Sequence, residues 1–396
     1  MLKARDWKGS IIGDKGGNID FIECAWDRKF KQCGDFILYL HLAEYNRLAE
    51  MGFKYVENVG RPELGLIQKI EYEKKIKGAF VTLKGFFVDK FLDFATYRKN
   101  VALTTNTAAA TKTAITNYVN NANAVVGGVK PIGSIGFSND SSFPSNVDIS
   151  IAGGIKAGEA LYDILSDSEY GYLTKISKYP QSDTDTLSVS VKVFKGSDLT
   201  SGDNAVYFGR AFNNVSDISY TLDESANQCF YEVLQEVSEE HYNAFSTNYF
   251  PIKYTETKDG QIHYMIGCYF VWNSNKPEKL GNSNPKAVLT VSLSSDDVDL
   301  EDTSTANQQK IRRLLETQAK LDMLNNYRIE TISCTVLQEK YEYMKNYDLG
   351  DKCVVYIDDL DLSYHAIISE VQETHKRNQV TLKVILGTPK KQKRSR

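Results

Sequence analysis

Residues Leu187-Ser188-Val189-Ser190-Val191-Lys192-Val193-Phe194 place small polar or charged side chains between apolar ones in a strict period of two. That period suits a strand with one face on a core and the other toward water, and it is out of phase with any helix. The same signal recurs in short pieces along most of the chain. Phe36-Ile37-Leu38-Tyr39-Leu40 is entered through Gly34-Asp35, and Phe53-Lys54-Tyr55-Val56-Glu57 alternates. Gly65-Leu66-Ile67-Gln68-Lys69-Ile70-Glu71-Tyr72 follows a turn at Pro62, and Ala79-Phe80-Val81-Thr82-Leu83-Lys84-Gly85 completes a first group over residues 20–90. Ile218-Ser219-Tyr220-Thr221-Leu222 and Gln228-Cys229-Phe230-Tyr231-Glu232-Val233 follow. Lys253-Tyr254-Thr255 faces Ile262-His263-Tyr264-Met265-Ile266-Gly267 across Asp259-Gly260, a dipeptide suited to a two-residue hairpin turn with φ > 0. A last group, over residues 328–387, contains Ile329-Glu330-Thr331-Ile332, Lys352-Cys353-Val354-Val355-Tyr356-Ile357, Tyr364-His365-Ala366-Ile367-Ile368 and Gln379-Val380-Thr381-Leu382-Lys383-Val384. Short strands with turn residues between them predict small barrels or sandwiches. The 24 Tyr and 18 Phe beside 5 Met agree, because aromatic side chains favour pleated, half-buried surfaces and broad interfaces.

Helical spacing is predicted in four stretches. Residues 42–51 end at Gly52, a candidate left-handed cap. Residues 110–122 put Ile115, Tyr118 and Val119 on one face, and residues 155–165 turn Ala157, Leu161, Ile164 and Leu165 inward. The longest, residues 305–327, carries the stripe Ile311, Leu314, Leu315, Leu321 and Leu324, with Thr305 and Gln308 at capping-box spacing. Residues 101–154 are dominated by Thr, Asn, Ala, Ser and Gly, and residues 273–285 form a polar loop at a boundary or exposed tip. The expected fold is mainly β with α+β elements: two separate, similar small β-barrels, a middle α/β segment and one long helix. The expected domains are an N-terminal β-barrel at 1–100, an α/β middle domain at 101–215, a β-rich domain at 216–300, and a helix plus C-terminal β-barrel at 301–396. No repeat of 20–50 residues is visible in the sequence.

Chemistry-bearing patterns are scarce. The net charge of −4 carries no nucleic-acid field, and the basic run at residues 390–396 reads as a solvated end. Cysteines 24, 33, 229, 268, 334 and 353 are scattered without metal-like spacing, which predicts reduced thiols. The N-terminus has no secretory apolar core, and no stretch has the apolar length of a membrane span. Histidines 41, 241, 263, 365 and 375 form no catalytic or ligand motif, and His365 reads as a structural strand residue. Gly13-Asp14-Lys15-Gly16-Gly17 lacks the P-loop pattern and reads as a turn. The acidic runs at residues 296–302 and 358–361 could hold Ca²⁺ but lack an EF-hand's central Gly and distal Glu. Acidic turns, with a carboxylate field at the start of the 305 helix, explain them sufficiently. The expectation is no enzyme, no catalytic residue, no cofactor and no metal.

Two regions carry a family likeness. Gly34-Asp35-Phe36-Ile37-Leu38, Gly65-Leu66-Ile67-Gln68-Lys69-Ile70 and Val81-Thr82-Leu83-Lys84-Gly85 stand at one end. Tyr347-Asp348-Leu349-Gly350-Asp351-Lys352-Cys353-Val354, Ile367-Ile368-Ser369-Glu370-Val371 and Thr381-Leu382-Lys383-Val384-Ile385-Leu386-Gly387 stand at the other. In this order and spacing the chain resembles the siphophage baseplate hub, or tail-tip, family, which includes the structural N-terminal module of tail-associated lysins. Ala366 stands where that family often has Arg, and residues 100–146 match none of its motifs. The resemblance implies a structural subunit of the tail tip of a long-tailed phage or phage-like particle, made in the bacterial cytoplasm. It further implies a homotrimeric pseudo-sixfold ring between tail tube and tip, around the channel. The implied partners are the distal tail protein, the tape-measure protein and receptor-binding or tail-fibre proteins, with no membrane and no specific nucleic acid. The alternative is a tail-associated cell-wall-degrading or glycan-binding protein. At residue level the expectation is a structural turn at Gly350 and Asp351, with Gly350 at φ > 0 and Asp351 capping a backbone N–H.

Overall fold

The structure is a computed structural model and describes residues 1–13, 15–151, 153–166, 168–223, 230–271, 286–293, 298–323, 329–376 and 379–387. Asp14, Gln228, Cys229, the loop 273–285, Asp296, Asp297, Leu324, Tyr327 and the basic run 390–396, all of which entered the sequence reading, lie outside the described residues, as does the side chain of Leu321. The fold is mainly β with α+β elements.

The first unit contains β1 (Leu2–Asp6), β2 (Glu23–Lys29), β3 (Asp35–His41), α1 (Leu42–Ala49), β4 (Phe53–Asn58), β5 (Leu64–Lys75) and β6 (Gly78–Phe87). The strands lie in the order β1-β4-β5-β6-β3-β2, each antiparallel to the next. Period-two alternation sends Cys24 and Trp26 of β2 and Phe36, Leu38 and Leu40 of β3 into one buried cluster with Leu2, Val56, Val81, Leu83 and Phe87. Helix α1 adds Leu48 to that cluster, and the chain leaves it through Gly52 at φ 79°.

The middle segment contains β7 (Val101–Thr105), α2 (Ala108–Ala122), β8 (Ile135–Phe137), β9 (Val147–Ile151), α3 (Ala157–Leu165), β10 (Tyr170–Lys178) and β11 (Ser188–Lys195). Three short strands, β7, β8 and β9, thus stand in the Thr/Asn/Ala-rich stretch where the sequence showed only helix and loop. They are held by pairing with β9, β11 and β7 respectively, because tertiary partners override weak local propensity. Helix α2 begins at an N-cap, Thr107, whose side chain accepts from the Ala110 N–H at 3.2 Å. Its Ile115, Tyr118 and Val119 join Leu161 and Leu165 of α3 and Val189, Val191 and Val193 of β11 in one core.

Next come β12 (Tyr207–Phe208), β13 (Val215–Asp223), β14 (Phe230–Val237), α4 (Glu239–Ala244), β15 (Ile252–Lys258), β16 (Gln261–Val271), β17 (Lys286–Val291) and α5 (Thr305–Met323). Strands β15-β16-β14-β17 make one sheet, with Asp259 (φ 52°) and Gly260 (φ 76°) closing the β15–β16 hairpin. Helix α5 packs on this sheet: Ile311, Leu314, Leu315 and Ala319 bury against Tyr231, Val233, Ile266 and Cys268. The sequence places this helix with the closing barrel. Its apolar stripe is instead covered by β14 and β16, so the helix belongs with the sheet before it. Its cap also differs, since Ser304, one residue before Thr305, accepts from the Asn307 N–H at 3.3 Å. Gln308 does not complete a capping box: its amide oxygen accepts from the Ser246 N–H at 2.9 Å, and its amide nitrogen donates to the Thr303 carbonyl at 2.7 Å.

The closing unit adds β18 (Ile329–Val336), β19 (Lys352–Ile357), β20 (Leu362–Lys376) and β21 (Gln379–Gly387). Strand β13, grouped from sequence with residues 216–300, pairs with β18 and belongs here. The order is β12-β19-β20-β21-β18-β13, which repeats that of the first unit, counterpart for counterpart. Even the register is shared. Lys75 lies opposite Gly78 and Lys376 opposite Gln379, equivalent ends of the two strand pairs. Both then skip one residue, Gln68 between Ile67 and Lys69 and Ser369 between Ile368 and Glu370. One difference is that β1 runs antiparallel to β4 whereas β12 runs parallel to β19.

The two units are similar but not separate, which corrects the sequence expectation. Strand β19 pairs with the first half of β20, opposite Leu362 to Ile367, and β2 takes the same edge beyond the skipped residue, with Glu23–Lys29 opposite Lys376 to Glu370. The described strands of both units form one 12-stranded sheet. The physical reason is length, since β20 outruns β19 and the N–H and C=O groups of its far half need partners.

Candidate functional site

Phe30, the residue after β2, is where three distant segments meet. Its N–H donates to the Ser369 carbonyl at 3.0 Å, and its own carbonyl accepts from the Tyr172 N–H at 3.1 Å. Its ring is buried, edge-on to Phe194 with centroids 5.3 Å apart. Glycines stand where the chains come closest. A Cβ at Gly171 or Gly350 would overlap Phe30, and one at Gly196 would overlap the Gly350 backbone.

Gly350 has φ 92° and donates its N–H to the Ile368 carbonyl at 2.9 Å. The Asp351 carboxylate accepts from two backbone N–H groups, Asp348 and Ser197, each at 2.7 Å. The first bond caps the turn, and the second ties the closing unit to the segment after β11. This dipeptide therefore touches the first unit through Phe30, the middle segment through Ser197 and its own unit through β20.

Beside the turn lies a buried ion network that crosses between the units. Arg28 occupies the inward phase of β2 after Cys24 and Trp26 and is only 3% exposed. Its guanidinium donates to Glu63 at 2.6 Å, to Asp348 at 2.7 Å and to the Tyr343 hydroxyl. Arg61 grips Glu373 with two bonds of 2.6 and 2.7 Å, and its guanidinium lies 5.1 Å from the Tyr343 ring centre. Burial opposes ionisation of Glu373, yet bonds from His375 and Arg61 hold its carboxyl below the usual carboxylate range. This network does not show in the local sequence pattern as a motif. The available signal was charge in the buried phase of a strand: Arg28 after Trp26, and Glu373 after Val371.

Where the first unit meets the middle segment, Asp89 is buried and accepts from the Thr174 N–H at 2.7 Å. Burial pushes its carboxyl up to about 7, with the Thr174 bonds pulling the other way. A raised carboxyl favours the fold while it is protonated in the fold. That contribution is complete below about pH 4, and it is lost as pH rises through about 7, at up to about 1.4 kcal/mol per pH unit. The thermal midpoint should therefore fall between pH 5 and pH 8, and Asp89→Asn should flatten that fall. An unchanged slope in the variant would remove Asp89 as its source.

The other candidates from sequence sit in local roles. Asp358 accepts from the Ala211 N–H at 3.2 Å, and Asp361, at φ 49°, accepts from the Tyr356 hydroxyl at 3.0 Å. Asp302 accepts from the Ser304 N–H at 2.8 Å at the approach to α5. Gly16 and Gly17, at φ 68° and 79°, form a tight turn ahead of β2. His241 bonds Ser238 at 2.6 Å, His263 bonds Glu236 at 2.7 Å and His375 bonds Glu373 at 3.2 Å, while His41 lies against the Phe80 ring and His365 opposite Val354 in β20. Among the described residues no three His, Cys, Asp or Glu side chains converge as a metal cluster, and no helix is long and apolar enough to cross a membrane.

No family model matches the chain, and no curated protein does. Solved structures do. The tail protein from Neisseria meningitidis MC58 superposes with a TM-score of 0.50 at 13% identity, covering 97% of this chain and 95% of that one. The 43 kDa tail protein of prophage MuSo2 from Shewanella oneidensis gives 0.48 at 12% identity, with 97% of each chain covered. Prophage tail protein gp18 from Listeria monocytogenes gives 0.46 at 13%, covering 99% of this chain and 95% of that one. Identities this low speak to architecture, and the Neisseria comparison carries that end to end. The chain has the fold of that tail protein.

Proposed function

We propose that the chain is a structural, non-enzymatic baseplate hub subunit at the tail tip of a long-tailed phage or phage-like particle. Three copies form a ring that joins the tail tube to the tip and surrounds the channel. The supporting observation is the internal duplication: two units with one strand order and one hairpin register, joined edge to edge through β2 and β20. A subunit with two equivalent parts presents pseudo-sixfold symmetry from three copies, which suits docking on a sixfold tube. The glycine-lined Phe30 junction and the Arg28 network fit this mechanical role, because they hold the two parts in one orientation. The partners in this reading are the distal tail protein, the tape-measure protein and receptor-binding or tail-fibre proteins.

Native mass spectrometry of the purified chain should give three times the mass of one chain, and a peptidoglycan zymogram should show no clearing. A stable monomer at micromolar concentration, absent from any ring in the particle, would overturn the ring. Clearing of the gel would overturn the non-enzymatic assignment.

A further inference from the structure

The pairing of β2 with β20 has an unfilled counterpart elsewhere in the same chain. On β20, β19 occupies the edge of the first half and β2 the edge beyond the skipped residue. On β5, β4 occupies the equivalent first half at Leu64, Gly65 and Leu66. Beyond Gln68, residues 69–75 have β6 on one side and, among the described residues, no strand on the other. The counterpart of β2 is β13, whose outer edge is likewise unpaired among the described residues because β13 ends the strand order. Within one chain, β13 and β5 stand in opposite halves of that order. A β13 that takes this place on β5 is therefore one from a second copy.

The register follows by transfer. Asp27 lies opposite Asp35, which lies opposite Phe86; Thr221 lies opposite Thr331, which lies opposite Gly387, the counterpart of Phe86. Thr221 therefore occupies the place of Asp27. Asp27 faces Gln372, whose counterpart on β5 is Glu71. We propose that β13 of one copy pairs antiparallel with residues 69–75 of β5 in the next copy, with Asp217 opposite Lys75 and Asp223 opposite Lys69. The same register sets Tyr220 opposite Tyr72 and Leu222 opposite Ile70.

The chemistry of the two edges agrees with that register, although nothing in the transfer used it. Both end pairs are of opposite charge, and Asp217 with Lys75 repeats the Glu23–Lys376 ion pair of the intrachain seam, 3.4 Å long. Between them an apolar pair and an aromatic pair face each other, the pairings that stabilise neighbouring strands. Ile70 and Tyr72 are 52% and 59% exposed and Leu222 is 38% exposed, an apolar strand edge that a solitary chain would leave open to aggregation.

This inference rests on the ring reading, and the test separates the two. The mass of the full chain is measured for four forms at one concentration: the parent, Lys69→Glu with Lys75→Glu, Asp217→Lys with Asp223→Lys, and all four changes together. The expected result is an assembled parent, single chains for either pair, and reassembly when all four are combined. That recovery excludes misfolding as the cause of the loss. In addition, Tyr72→Cys with Tyr220→Cys in one chain should give covalent multimers on oxidation, with neither single cysteine doing so. An assembled parent whose charge pairs remain assembled, or whose quadruple variant stays dissociated and whose cysteines do not cross-link, overturns this seam and leaves the ring intact. A parent that is itself a single chain overturns both.

Discussion

Arg28→Ala should destabilise the chain by about 3–5 kcal/mol, the usual consequence of removing one partner from a buried ion pair. Arg28 and Glu63 are each about 4% exposed at the side chain, whereas Asp348 is 40% exposed. Without the guanidinium, Glu63 is the group left uncompensated, since Asp348 reaches water. Chemical denaturation should show the loss as a lowered midpoint with an unchanged slope. Arg28→Met combined with Glu63→Leu should recover most of it, because an apolar pair of similar volume carries no desolvation penalty. A single-variant loss below about 1 kcal/mol would show that the network contributes little to stability, and a double variant as unstable as the single would show that the loss does not come from the charge stranded on Glu63.

Gly350→Val should be the second most damaging change, through two additive causes. At φ 92° a residue with a Cβ costs about 1–2 kcal/mol in backbone conformation. The added carbon also overlaps the buried Phe30 ring, and overpacking of this kind costs about 1–3 kcal/mol. Because Phe30 is shared with the first unit and with Tyr172, the loss should lower ring assembly as well as folding. Asp358→Ala, at a turn that loses one 3.2 Å bond to the Ala211 N–H, should change stability by no more than about 0.5 kcal/mol. Equal and negligible effects from both substitutions would mean that the Gly350-Asp351 turn does not order the closing unit.

Local chemistry was legible without the fold. Strands such as β11 and β3 announce themselves by alternation, because the side-chain period of a strand is a property of the strand alone. Asp259-Gly260 marks its hairpin for the same reason: both residues take positive φ, which few other pairs tolerate. Even the error at α5 was local. Ser304 and Thr305 both offer a hydroxyl at the right place, and which one caps depends on the geometry of a single turn.

What sequence could not reach is which strand edge meets which. Residues 69–75 of β5 and 370–376 of β20 follow equivalent skipped residues and end in equivalent hairpins, yet β2 covers the second and no described strand covers the first. Alternation within a strand does not say which strand covers its edge, since backbone hydrogen bonding does not depend on side-chain identity. The Arg28 network was hidden for a related reason. Arg28 and Asp348 are 320 residues apart, and a cation on the buried phase of a strand is merely costly until its partners are in place. Alternation and turn residues, acting over a few neighbours, determined the strands and their hairpins. Tertiary structure decided the joining of the two units, because only there do an unpaired edge and a buried charge find the groups that satisfy them.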